Sequence, residues 1–134
     1  MPLTEDRNTA HKGTEILVLG MGANQKVYAG GMAAANAAGF IQAAADAAGL
    51  KVVGMSEEQV DNTGGANGDK DVQLRRKKAF IFKNSATNAV TEAHIATDIY
   101  VEDDETVSSY GGVNSIVAGK CVGIVTAGVL VEIG

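Results

Sequence analysis

The chain predicts a mainly β domain: a small β-sandwich or barrel of about eight short strands, with an extended N-terminal arm and at most one or two short helical turns. Three observations carry this expectation. Short runs rich in Val, Ile and Leu recur between turn-forming clusters at the ~8–12 residue spacing of sandwiches and barrels. Seventeen glycines stand against a single proline, Pro2, a balance that fits many sharp turns inside a folded domain rather than a Pro- and charge-rich disordered chain. Aromatic residues make up only 4% of the sequence and Trp is absent, so the core is expected to be thin and built from aliphatic side chains. A length of 134 residues suits one domain.

The polar stretch 1–13 reads as a flexible arm and 14–134 as the single β-rich domain. Thr14 to Leu19 is the first strand, ended by Gly20-Met21-Gly22-Ala23-Asn24. Gln25 to Ala35 reads as a strand weakened by Gly30 and Gly31, where a bulge or a close backbone approach is expected. Phe40 to Ala48 is rich in the best helix former, yet it is shorter than the ~12 residues at which an isolated helix becomes marginal; a short strand plus loop is expected. Leu50 to Met55 is a strand running on toward Val60. Asp61 to Asp69 is a loop tip of turn residues. Val72 to Phe82 reads as one strand emerging from solvent and re-entering the core. Thr91 begins a single helical turn. Ile99-Tyr100-Val101 and Thr106-Val107-Ser108 flank an acidic turn, Glu102 to Glu105. Ser115 to Val125 and Val129 to Ile133 pair across Thr126-Ala127-Gly128, with positive φ at the glycine.

A formal net charge of −5 offers no long-range attraction to nucleic acid, and no nucleic-acid partner is expected. No secretory h-region and no run of ~18 apolar residues is present, so a soluble protein made in the cytoplasm, without a membrane partner, is expected. The lone Cys121 cannot form an intrachain disulfide and reads as a small buried hydrophobe.

Candidate motifs each meet a physical objection. Gly20-Met21-Gly22-Ala23-Asn24-Gln25 begins like a dinucleotide fingerprint, but it carries Gln25 at the last glycine position and no helix follows. The Gly64-Gly65 loop lacks the Gly-Lys-Ser/Thr ending of a phosphate loop. Glu102-Asp103-Asp104-Glu105 offers oxygen ligands to a hard cation, without the spaced acid-and-glycine pattern of a dedicated loop. His11 and His94 are in no ligand spacing. Burial of Cys121 would suppress its thiolate. No catalytic, cofactor or metal residue is assigned, and an enzyme is not expected. Arg75-Arg76-Lys77-Lys78, the sole basic cluster, reads as a solvated edge strand guarded against self-pairing or as a salt-sensitive contact with an acidic patch on a subunit or partner.

Met1-Pro2-Leu3-Thr4-Glu5-Asp6-Arg7-Asn8-Thr9, Val27-Tyr28-Ala29-Gly30, Glu57-Glu58-Gln59-Val60-Asp61-Asn62-Thr63, Phe82-Lys83-Asn84-Ser85-Ala86 with Val90-Thr91, and Ile99 to Val107 together resemble a family of small head decoration, or capsid cement, proteins of tailed phages and prophages. The alanine-rich stretch Ala33 to Ala48 and the Lys77-Lys78 pair depart from that family. The resemblance implies a structural virion protein, made in the host bacterial cytoplasm, that binds the major capsid protein on the outside of an icosahedral head and stabilises contacts between capsomers. It also implies self-association, a homotrimer being favoured over a dimer. On this reading Leu3, Thr4, Arg7 and Asn8 are the capsid-contact residues. The rival classes are a head-completion or tail component, and a small-ligand or carbohydrate-binding β module, for which only Tyr28, Tyr100 and Tyr110 offer an aromatic surface.

Overall fold

The computed structural model describes residues 2, 4–10 and 12–134. The chain is mainly β. Its strands are β1 (Ile16–Gly20), β2 (Lys26–Val27), β3 (Met32–Ala35), β4 (Ile41–Ala43), β5 (Lys51–Ser56), β6 (Val60–Asp61), β7 (Asp71–Arg75), β8 (Lys78–Asn84), β9 (Asp98–Val101), β10 (Thr106–Ser108), β11 (Val117–Val125) and β12 (Gly128–Ile133). One 3-10 turn, Glu92–His94, follows Thr91 as expected. The strand count is higher than eight because glycines and loops cut three of the expected long strands in two.

The first half is an antiparallel sheet in the order β1-β7-β5-β3-β4. It curls: Met21, one residue beyond β1, bridges Ile41 on the opposite edge, and Gly22 N–H donates to the Ile41 carbonyl at 2.8 Å. A two-stranded ladder, β2 with β6, lies beside it, pairing Lys26 with Asp61 and Val27 with Val60. The curl encloses Met21, Val27, Ala33, Ile41, Val72 and Leu74.

The second half is a closed five-stranded barrel, β10-β8-β12-β11-β9. Closure depends on β10, which pairs in parallel with β8 and antiparallel with β9. Closing so few strands demands strong bending, and β11 supplies it with register shifts at Val117/Gly119 and Cys121/Gly123, since a bulge sharpens the local twist. Inside lie Phe82, Ile99, Val107, Cys121, Val129 and Val131. Cys121 is the small buried hydrophobe its sequence context implied.

The alanines of β3 join the two halves. Successive side chains on a strand point to opposite faces, and here both faces are buried: Met32 and Ala34 belong to the barrel core, Ala33 to the core of the curled sheet. Burial on both sides overrides alanine's helical preference.

Several expectations are corrected. The predicted strand Val72 to Phe82 breaks at Arg76-Lys77, where Lys77 takes φ 62° and its N–H donates to the Ile133 carbonyl at 2.6 Å; the chain leaves the sheet there and enters the barrel. Gln25 to Ala35 divides at Tyr28–Gly31, and the strand from Leu50 stops at Ser56 before Val60. In the β11–β12 hairpin Val125 pairs with Gly128, so Thr126-Ala127 alone span the turn. Gly128 has the expected positive φ, 151°, and any Cβ there would collide with the Phe82 carbonyl.

Candidate interaction surface

Thr4, Arg7 and Asn8 lie in the segment ahead of β1. Every described residue of 2–10 is exposed and none belongs to a strand; Thr9 N–H donates to the Arg7 carbonyl at 3.1 Å, a bond internal to the segment. Leu3, the fourth capsid-contact candidate, and His11 lie outside the described residues.

Arg75, Arg76, Lys77 and Lys78 do not form one strand face. Arg75 ends β7 and is ion-paired with Glu57. The backbone N–H of Arg76 donates to the Glu15 carbonyl at 2.8 Å, and its Nε is buried without a partner. Lys77 and Lys78 are exposed at the crossing into β8. The edge-strand reading is overturned, because β7 lies between β1 and β5 and β8 is closed within the barrel. The cluster is a joint, and only its lysine pair faces solvent fully.

The acidic turn is equally dispersed. Glu102 accepts a hydrogen bond from Ser85 Oγ (2.6 Å), Asp103 Oδ1 accepts the Glu105 N–H (2.9 Å), and Glu105 is ion-paired with Lys83, which raises the lysine's pKa. Asp104 borders Tyr28–Gly31, and its carbonyl accepts the Met32 N–H of β3 at 2.7 Å. Burial, with Asp103 and Glu105 nearby, pushes its carboxyl above the ordinary aspartate value. Among the described residues no group of three or more His, Cys, Asp or Glu side chains is arranged to hold a metal ion, and no helix is long and apolar enough to cross a membrane.

Gly20 closes β1, Met21 forms the bridge to Ile41, and the turn that leads into β2 falls at Ala23-Asn24. It is locked to the Gly64-Gly65 loop by asparagines: buried Asn62 donates to the carbonyls of Gly22 (2.8 Å) and Ala66 (3.0 Å), Asn24 Oδ1 accepts the Gly64 N–H (3.0 Å), and Asn67 Oδ1 accepts the Ala23 N–H (2.8 Å). Both glycine loops thus satisfy each other's backbone groups. His94 is also used locally, its Nδ1 accepting the Thr91 N–H at 2.9 Å.

The loop from β10 to β11 carried two expectations, Tyr110 as an aromatic surface and Ser115 as the start of a strand; the strand begins instead at Val117, and Ser115 turns to φ 52°. Asp46 holds the loop across the molecule: Oδ2 accepts the Val113 N–H and Oδ1 the Asn114 N–H, each at 2.9 Å, while the Asn114 amide donates to the Asp46 carbonyl at 3.1 Å. The two backbone N–H groups hold the Asp46 pKa below its ordinary value. Gly112, at φ 64°, comes so close that a Cβ would collide with the Asp46 carboxylate. Held by this clamp, Tyr110 and Val113 are 62% and 91% exposed. The available sequence signal was a Gly111-Gly112 turn flanked by two large apolar residues.

No protein-family model matches the chain, and no curated protein or solved structure shows significant similarity to it.

Proposed function

We propose that this protein is a capsid decoration, or cement, protein: a virion component on the outer surface of an icosahedral phage head, bound to the major capsid protein and stabilising contacts between capsomers. The observation that carries the reading is the exposed segment ahead of β1, whose Thr4, Arg7 and Asn8 are free to dock while the two cores behind it stay intact. The resemblance of the N-terminal and β9–β10 segments to phage decoration proteins points the same way. An extended polar segment binds by wrapping a surface, its ordering cost offset by many modest contacts. Association of the subunit with itself, as a homotrimer at a symmetry axis, makes each further contact intramolecular and multiplies the avidity.

Deletion of residues 1–13 tests the reading. The truncated protein is expected to keep the wild-type circular-dichroism spectrum and to lose binding to purified heads lacking the protein. Full binding by the truncated protein refutes the role of the segment; association of the intact protein with tails or portal vertices alone refutes a shell-wide cement.

A further inference from the structure

The 109–115 loop combines two properties that rarely coexist: a tightly fixed backbone and apolar side chains turned to water. Besides the Asp46 clamp, Ser109 donates from both N–H (3.0 Å) and Oγ (3.1 Å) to the Asn88 carbonyl, Tyr110 N–H donates to Ser108 Oγ (3.0 Å), and Ser115 N–H donates to the Gly111 carbonyl (2.8 Å). Ser115 itself is held at φ 52°, a left-handed conformation that non-glycine residues adopt only when the surroundings impose it. Fixing a loop before contact lowers the entropy lost on binding, which is the economy of a preorganised contact loop. Large, exposed Tyr and aliphatic groups on such a loop have the character of interface anchors.

Where β11 begins, a cleft of about 420 Å³ is lined by Leu50, Val52, Ile116, Ala118 and Ile133, with the exposed Lys51 among its walls. It falls at the lower end of the ~300–1,000 Å³ range of ligand clefts, a size suited to one or two side chains. Charge complements shape. Asp46 and Glu102 flank Tyr110 at the loop, whereas Lys51 lies at the cleft and Lys77 packs against its wall residue Gly134.

We propose that the 109–115 loop of one copy inserts Val113 and Tyr110 into this cleft on a second copy. Ser115 ends the loop and also lines the cleft, so the two patches adjoin; two copies can exchange loops reciprocally about a two-fold axis, or pass them head to tail and close into a ring where the rotation permits. The inference rests on the proposed self-association of the subunit; it does not depend on the shell being the target.

The test uses the full chain alone in solution. Sedimentation equilibrium over a concentration series is expected to show self-association for the wild type, weakened on the order of thirtyfold by Val113→Asp, the scale of an interface anchor. Lys51→Glu, at an exposed site, is expected to weaken it less and to reduce its salt dependence. Melting curves taken where both proteins are monomeric should coincide for wild type and Val113→Asp. Under mild oxidation, Val113→Cys mixed with Lys51→Cys should give a cross-linked dimer that neither gives alone; the native Cys121 is buried. A wild type that stays monomeric, a Val113→Asp protein that associates normally, or self-cross-linking by Val113→Cys alone overturns the proposal. None of these results bears on head binding by the N-terminal segment, which is measured separately.

Discussion

Overpacking the shared wall tests whether the two halves form one cooperative unit. Ala33 and Ala34 are both fully buried, one in each core. Ala→Val at either position adds two methyl groups to a close-packed environment, at a cost of about 1–3 kcal/mol, while the better strand propensity of valine returns less than ~1 kcal/mol. Overpacking therefore wins. That leaves a net cost of roughly 0.5–2.5 kcal/mol; for a domain of this size each 1 kcal/mol lowers Tm by roughly 3–6 °C, so each variant should melt about 2–15 °C below wild type. The assay is thermal unfolding followed by far-UV circular dichroism, in parallel with labelling of Cys121, which reports opening of the barrel alone. If β3 belongs to both cores, Ala33→Val must accelerate Cys121 labelling although its side chain faces the other core, and both probes must give one coincident transition. An Ala33→Val protein with a lowered dichroism midpoint and unchanged thiol protection would refute the shared wall.

Two carboxylates should shift stability with pH in opposite directions. Asp104 has a raised folded-state pKa, so its charged form is disfavoured by folding: its favourable contribution is complete below the unfolded value, about 3.9, and disappears as pH rises through the folded value. Asp104→Asn should therefore be more stable than wild type at pH 7 in urea titrations, with the gain vanishing below the unfolded pKa. Asp46 has a lowered pKa, so the stability it contributes is complete above the unfolded value and is lost as pH falls through the folded one. The deficit of Asp46→Asn should be constant from pH 7 to about pH 5 and close only in stronger acid; a deficit that persists there would mean the clamp does not act through its charge.

Strands with alternating side chains were readable because their pattern is local. Ile99-Tyr100-Val101, Thr106-Val107-Ser108 and the long final hairpin fall where the β-branched residues and turn signals indicate. The breaks were not readable, since each is set from far away. Lys77 turns into positive φ because its N–H meets Ile133, and β5 ends at Ser56, whose N–H bonds to the Gly31 carbonyl. Parallel pairing of β8 with β10 and the two bulges of β11 are likewise consequences of closure. The exposed N-terminal segment was legible as a polar stretch before the first strand. The 109–115 loop was not, because its fastener, Asp46, is 67 residues from Val113 and sits in an alanine-rich stretch with no turn signature of its own.

The acidic balance and the glycine content, which look independent in the sequence, are linked in the fold. Glycine turns leave backbone N–H groups without strand partners, and short side-chain acceptors take them up. Asp46 serves Val113 and Asn114, Asp61 serves Thr63, Asp69 serves Ala66, Asp103 serves Glu105, and Asn36 serves Ala38 and Phe40. Glu57 is taken by Arg75 and Glu105 by Lys83. Carboxylates that look like a site when read as a cluster are therefore divided among separate partners: Asp103 fastens a turn, Glu105 is ion-paired with Lys83 and Glu102 takes the Ser85 hydroxyl. On the proposed function, recognition falls to exposed groups outside these fasteners: Val113 and Tyr110 on the clamped loop, and Thr4, Arg7 and Asn8 ahead of β1. A rigid apolar loop and an extended polar segment are complementary tools. The first holds geometry and the second spans area, as the proposed binding of the subunit to its own copies and to a larger surface requires.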